Sequence, residues 1–215
     1  MRRPKKEIQL TSYDELLGLE ESPEKSMNQV VEIELEKLYP FKNHPFHVSD
    51  DEKMAETVES IKNYGVLNPA LVRPRSEGGY ELISGHRRKR GCELCGKTTM
   101  PVLVRNYTDD EAVIIMVDSN IQRENLLYSE KAFAYRMKYE ALKRQGRRTD
   151  LTLVQVEPKL KKRWAAEMVG TEVGETMSTI KRYIRLTYLS NYLLEFVDKN
   201  ELPFTVAVDL SYLKS

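Results

Sequence analysis

An apolar run, Tyr80-Glu81-Leu82-Ile83, passes without a spacer into Ser84-Gly85-His86-Arg87-Arg88-Lys89-Arg90-Gly91. The run has the composition of a strand, and the segment after it reads as a helix to about Cys95. A strand that turns at glycine directly into a helix leaves few folds open, because the two elements must pack back on each other. Glycine at that junction lets another group approach the backbone closely. The first helical turn carries unpaired amide N–H groups and the positive end of the dipole, so anions bind there. Two consecutive arginines add planar, permanently charged forks suited to phosphate oxygens. Taken alone, the same eight residues equally describe a solvated basic helix face.

The flanking sequence builds an α/β domain around this junction. Val31–Leu35 alternates at period two and predicts a strand. After a Pro40–Pro45 loop, Ser49 is the expected N-cap of a helix whose first turn holds Asp50, Asp51 and Glu52. Met54, Val58 and Ile61 mark its buried face, and Gly65 stands where a C-cap belongs. Ala70–Arg73 predicts a strand joined by a Ser76–Gly79 turn to Tyr80–Ile83, and Pro101–Val104 predicts another. Thr108 then caps a helix containing Val113, Met116 and Val117 that ends near Asn120.

Beyond Ser129 the pattern is helical throughout. Phe133, Tyr135, Met137, Tyr139 and Leu142 define one helix, expected to stop at Gln145-Gly146. Arg147–Pro158 reads as a linker, and Lys159, Lys161, Lys162 and Arg163 form a basic cluster beside Trp164. Val169-Gly170 and Val173-Gly174 place small residues four apart, where two helices approach and turn. Thr176 caps the second helix, with Ile180 and Tyr183 facing inward. Met177, Ser178, Lys181, Arg182 and Arg185 are then left outward for DNA, although an ordinary helical hairpin has the same spacing. Tyr188, Leu189, Leu193, Leu194 and Phe196 are expected to form the core of supporting helices.

Charge supports an anionic partner for this half. Net charge is only +1, yet residues 129–185 hold 14 Lys and Arg against 7 Asp and Glu, a net of +7. Such segregation fits a nucleic acid held at one end of the molecule; a solvated helical region is the plainer alternative. With 40% hydrophobic and 31% charged residues the chain is globular. No apolar run approaches the roughly 20 residues of a membrane span, and Met1–Lys6 lacks a signal-peptide core. A cytoplasmic protein is expected. Cys92 and Cys95 are the only cysteines, so a disulfide framework is excluded. With His44 and His47 they could complete a four-ligand metal set, but two small core-facing residues are the simpler reading.

Three boxes, in order, resemble the ParB family of chromosome and plasmid partition proteins. Gly85-His86-Arg87-Arg88-Lys89-Arg90 is similar to its GERR/GHRR box. Ser60-Ile61, Gly65-Val66-Leu67-Asn68-Pro69 and Val72-Arg73-Pro74 resemble its SI…G…P…VRP stretch, and Asn120–Leu126 resembles its ENxQRxxL box. Ile180–Leu186 is similar to a ParB-type recognition helix. The resemblance implies an α+β chain: a flexible tail over 1–28, a ParB/sulfiredoxin-like α/β domain over 29–127, and an all-α helix-turn-helix domain over 128–215. A C-terminal dimerisation domain, usual in the family, is expected to be absent.

The resemblance further implies CTP and Mg²⁺ as cofactors, a palindromic centromere-like double-stranded DNA site, a ParA-type ATPase partner and a homodimer that closes into a sliding clamp. Carried over by position, Gly65, Leu67 and Pro69 would line the cytosine and ribose. Ser84, Gly85, His86, Arg87 and Arg88 would hold phosphates, and Asn120, Gln122 and Arg123 would sit at the triphosphate, with Asn120 on the metal. Lys162, Arg163, Thr176, Met177, Ser178, Lys181, Arg182 and Arg185 would face DNA. Two departures stand out. Ser119 replaces the acidic residue expected before Asn120, with Asp118 one position earlier, although Mg²⁺ prefers carboxylate oxygen. His86 stands where many relatives carry Glu. Both departures weigh against CTP hydrolysis more than against CTP binding. A site-specific DNA-binding regulator without a nucleotide switch is the alternative. The sulfiredoxin reaction lacks its nucleophile, since no thiol lies in Ser84-Gly85-His86.

Overall fold

The computed structural model describes residues 30–123, 125–149 and 158–213, with the side chains of 146–149 and 158–163 left out. The expected tail over 1–28 lies outside the described residues. Five strands form one mixed sheet in the order β1-β5-β3-β4-β2: β1 Val30–Glu34, β2 Leu38–Pro40, β3 Ala70–Pro74, β4 Tyr80–Ser84 and β5 Thr99–Val104. The β3–β4 hairpin turns at Gly78 and Gly79, both at positive φ, and pairs Val72 with Leu82. β5 runs parallel to β3 and antiparallel to β1, with Val31 opposite Val102. β2 pairs parallel with β4. Its three residues are too few to show a period, and its Pro40 is tolerated because the strand lies at the sheet edge. β1 is the other edge. Val30 and Val31 are 57% and 41% exposed, and the strand meets the core only through Ile33, which packs partly buried against it.

Eight α-helices complete the described residues: α1 Glu52–Tyr64, α2 His86–Leu94, α3 Asp109–Ile121, α4 Tyr128–Thr149, α5 Pro158–Val173, α6 Met177–Leu186, α7 Asn191–Asp198 and α8 Phe204–Leu210. The N-cap of α1 is Asp51 rather than Ser49; its carboxylate accepts from the Met54 N–H at 2.8 Å. Gly65 ends α1 at φ 73°. Thr108 and Glu111 form a reciprocal capping box on α3, and Thr176 and Ser190 cap α6 and α7. α4 continues through Gly146 to Thr149 instead of stopping at Gln145; one interior glycine costs only about 1 kcal/mol against alanine. Pro158 opens α5, where its missing N–H and fixed φ suit the first turn.

Burial divides into three clusters. Val72, Leu82, Met100 and Val102 pack the sheet against α1 and α2 through Ile61 and Cys92. Ile83, Met116 and Val117 join β4 and α3 to Phe41, Phe46 and Ala134. Tyr135, Val169, Ile180, Tyr183, Leu194 and Val208 form the helical core. Leu189, Leu194 and Phe196 sit in or against the interior as expected, but Tyr188 is 61% exposed. Its ring faces the guanidinium groups of Arg136 and Arg185 instead. The α5–α6 turn depends on Gly170, since a Cβ there would lie 2.5 Å from the Glu175 carbonyl oxygen.

Candidate functional site

The β4–α2 junction is built on Gly85, which takes φ 110° as the N-cap of α2. A Cβ at this position would meet the Ala70 Cβ of β3 at 2.8 Å, so glycine is needed for both the dihedral angle and the close approach. With no side chain at the cap, the first-turn amides of α2 are left without a side-chain acceptor.

The arginines that follow do different things. Arg88 turns inward and donates from Nη1 to the carbonyls of Asn68 and Pro69, at 2.5 and 2.7 Å. Burial lowers its pKa. It thereby ties α2 to the loop containing Gly65, Leu67 and Pro69; Leu67 itself is 73% exposed. Arg87 meets the Asp51 carboxylate at 3.0 Å, and Arg90 makes two bonds to Asp50, at 3.1 and 2.6 Å. The acidic start of α1 therefore clasps the basic start of α2. Charge alone marks Asp50 and Asp51 only as dipole-matched helix residues; their partners lie 40 and 36 positions away, respectively.

His86 points toward the Phe41–Phe46 loop, with Nε2 3.5 Å from the Phe41 N–H and its ring 3.9 Å from that of His44. Burial, helped by the nearby charges of His44, Arg123 and Lys89, pushes its pKa down to about 3. His44 is shifted the same way, chiefly by burial; its Nδ1 bonds to the Phe46 carbonyl at 2.8 Å, while Nε2 is buried without a protein partner. Both rings are neutral at pH 7, so the basic box owes its charge to lysine and arginine.

Next to this junction opens a cleft of about 1000 Å³ whose walls include Asp51 and Arg87 from the α1–α2 side. Gln122 and Arg123 from the turn after α3, with His47 and Glu130, line it as well. Residues 36 positions apart in sequence thus face one space. Burial and then the charge of Arg87 lower the Arg123 pKa, only partly offset by Glu130, so the Arg87 charge is felt as repulsion at Arg123. An anion between them relieves that repulsion and fits the site. Glu130, 7% exposed, accepts from the Leu127 N–H at 3.0 Å and from the His47 N–H at 2.7 Å, fixing the rim. Sequence reasoning missed Glu130; its position one residue after the Ser129 helix start was the available signal.

The metal-ligand candidates are arranged differently. Asn120 is 3% exposed, and its Nδ2 donates to the Met116 carbonyl at 2.7 Å and to Ser119 Oγ at 3.1 Å. Ser119 Oγ donates to the same carbonyl at 3.0 Å. Asp118 is bonded to Lys138. Among the described residues no group of three His, Cys, Asp or Glu side chains could hold a metal ion, and this covers His44, His47, Cys92 and Cys95. The residues present do not fit a protein-held Mg²⁺. Cys92 is buried in the sheet core, and Cys95 donates to the Val58 carbonyl.

A second surface lies on α6. Thr176, Ser178 and Lys181 are exposed, and Met177 is half-buried. Arg182 is half-buried, its guanidinium 5.0 Å from the centroid of Phe204. Arg185 is committed to the fold: Nε donates to Ser211 Oγ at 3.1 Å, Nη2 to the Ser211 carbonyl, and the guanidinium stacks 4.1 Å over Tyr212. The side chains of Lys162 and Arg163 lie outside those described. No described helix is long and apolar enough to cross a membrane.

Comparison with known proteins points one way. The ParB N-terminal domain model matches residues 20–121. The chain is 33% identical over 174 residues to the probable chromosome 1-partitioning protein ParB of Deinococcus radiodurans, covering 81% of this chain and 53% of that protein. It is 38% identical over 107 residues to a nucleoid occlusion protein of Lysinibacillus sphaericus, covering 50% and 36%. The chain thus spans about half or less of the length of these curated relatives. The fold is similar to the C-terminally truncated chromosome-partitioning protein ParB of Caulobacter crescentus, crystallised with the centromeric parS site, at a TM-score of 0.51 and 23% identity over 86% of each chain. The mixed sheet with its β4–α2 glycine junction, and the sequence relatives reached independently of it, agree: this chain belongs to the ParB family.

Proposed function

We propose that this chain is a partition protein that binds CTP in the cleft beside α2 and a centromere-like DNA site through α5 and α6. The observation that carries the nucleotide half is the pair Arg87 and Arg123, which line one cleft, where burial and then the charge of Arg87 disfavour the charged form of Arg123. When bound, CTP supplies a triphosphate anion. It would take the first-turn amides of α2 and the two guanidinium groups as partners, with Arg87 exchanging its bond to Asp51 for one to phosphate. Arg88 positions the 65–69 loop through the Asn68 and Pro69 carbonyls. The DNA half rests on the exposed polar face of α6 and on the net +7 of residues 129–185. The division is a nucleotide part over 29–127 and a DNA part over 128–215, with two copies closing into a clamp on DNA and a ParA-type ATPase as partner. Any Mg²⁺ would take its ligands mainly from phosphate and water.

A second reading, a DNA-binding regulator without a nucleotide switch, is favoured by one observation. Asn120 Nδ2 is bonded to the Met116 carbonyl and Asp118 to Lys138, and neither residue lines the cleft. Isothermal calorimetry with CTP, with and without cognate DNA, separates the two. CTP binding that Arg87→Ala weakens by about 10-fold or more, as loss of a charge-assisted bond does, supports the switch. No heat with CTP in either condition leaves the regulator.

A further inference from the structure

Lys138 breaks the pattern of its helix. It lies in the middle of α4 and is 1% exposed, the largest of the fully buried side chains. Its Nζ reaches two carboxylates on two other helices: Asp118 on α3 and Glu172 on α5, which are 46% and 42% exposed. A buried ammonium is costly unless it is paired. If α5 moves off, the ammonium loses one of its two counter-charges; if α3 also moves, it is left alone. The carboxylates, being half in water, lose less. The arrangement therefore favours keeping α3, α4 and α5 together at one point.

That point lies between the two surfaces described above. Two residues after Asp118 comes Asn120, and then Gln122 and Arg123, which line the cleft. Two residues before Glu172 comes Gly170, whose carbonyl accepts from the Glu175 N–H at 2.8 Å and sets the turn into α6. Asp110 and Arg144 join the other end of α3 to α4 at 2.7 Å, so α3 is fixed to α4 twice. We propose that Lys138 is a positioning residue, a three-helix latch that holds α5, and with it the α6 face, in register with the end of α3 that reaches the cleft. A change in the direction of α3 on anion binding is then transmitted to α5 through one ammonium. The coupling half of this proposal rests on the reading of the cleft and of α6 given above; the latch itself does not.

Two measurements keep the halves apart. The first is amide hydrogen exchange on the full chain without ligands, comparing wild type with Lys138→Met, Glu172→Gln and Asp118→Asn. Lys138→Met keeps the length of the side chain and removes its charge. Glu172 is half exposed, so its variant folds even if Lys138→Met does not. Exchange in α5 and α6 is expected to rise at least 10-fold in Lys138→Met and in Glu172→Gln, and less in Asp118→Asn, with β3 and β4 unchanged. Wild-type exchange in α5 and α6 of Glu172→Gln, or equal acceleration across the sheet, overturns the latch. The second is the ratio of CTP dissociation constants with and without cognate DNA. A wild-type ratio different from one that falls toward one in Glu172→Gln, with each separate affinity within about threefold, supports coupling. An unchanged ratio overturns it. A wild type that binds neither CTP nor DNA overturns the proposed function and the coupling with it, while the exchange experiment still decides the latch.

Discussion

Acid should unfold this protein earlier than its carboxylates require, and His86 is the reason. Its folded pKa is about 3, set first by burial and then by the charges of His44, Arg123 and Lys89. In the unfolded chain a histidine titrates near 6.5. The unfolded state therefore binds the extra proton as pH falls between these values, and stability that is complete above pH 6.5 is lost on the way down to about 3. At pH 5 the unfolded His86 has already gained about 2 kcal/mol from protonation, roughly a 30-fold shift toward unfolding. His44, lowered in the same direction by burial, adds to the loss. Asp50 and Asp51 are held below the ordinary aspartate range by Arg90 and Arg87, so their contribution is present above that range and disappears only at lower pH. The window between pH 7 and 5 thus belongs to His86 and His44. Urea unfolding followed by circular dichroism at the two pH values, for wild type and His86→Gln, measures the effect. The variant is expected to be less stable at pH 7 but to lose about 2 kcal/mol less between pH 7 and 5. Equal pH dependence in both proteins would refute the assignment of a neutral, buried His86.

Three further outcomes can be checked. Gly85→Ala is expected to cost about 2–4 kcal/mol in urea unfolding, because the left-handed dihedral and a 2.8 Å approach to Ala70 in β3 are both penalised. Gly170→Ala should destabilise by about 2–3 kcal/mol by forcing the Glu175 carbonyl away, whereas Gly174→Ala, at φ 72° with open space around it, should cost only about 1 kcal/mol; equal losses would show that the α5–α6 turn is not set by Gly170. On DNA, Lys181→Ala should lower affinity for cognate and scrambled sites alike and flatten the salt dependence, while Arg182→Ala should reduce discrimination between them, with a stability cost of about 0.5–1 kcal/mol from losing the contact with Phe204.

Local chemistry was legible in the sequence wherever one segment decides it alone. Gly65 ends α1, Thr108 and Glu111 box the start of α3, Thr176 caps α6, and Ile180 and Tyr183 turn inward, all within a few residues of the signal. Ser49, Asp50 and Asp51 are all competent caps, and nothing local chooses among them. Arg87 and Arg90 hold Asp51 and Asp50 on α2, an interaction that exists only once the two helices are side by side. β2 was missed because three residues carry no period, and the extension of α4 because glycine stops a helix only where the chain has a better use for the turn. Arg88 and Arg185 illustrate the same limit. Helical spacing and charge put both among groups available to a ligand, yet Arg88 is bonded to the Asn68 and Pro69 carbonyls and Arg185 to Ser211.

The charged residues that a binary pattern assigns to solvent are also those that join the parts of this molecule. Glu130 and Lys138 both lie on α4, and both are buried, at 7% and 1% exposure. Each finds partners on other segments: Glu130 on the 47 loop at the cleft, Lys138 on α3 and α5. An apolar residue at either position would pack α4 without specifying direction, since hydrophobic contact tolerates sliding. A buried charge does not tolerate it, because a shift of about one helical turn, 5.4 Å, separates it from its counter-charge. α4 thereby holds a fixed register to the cleft at one end and to the α5–α6 pair further along. A rigid element keyed at both places is what a chain needs if an anion in the cleft is to be felt at the α6 face.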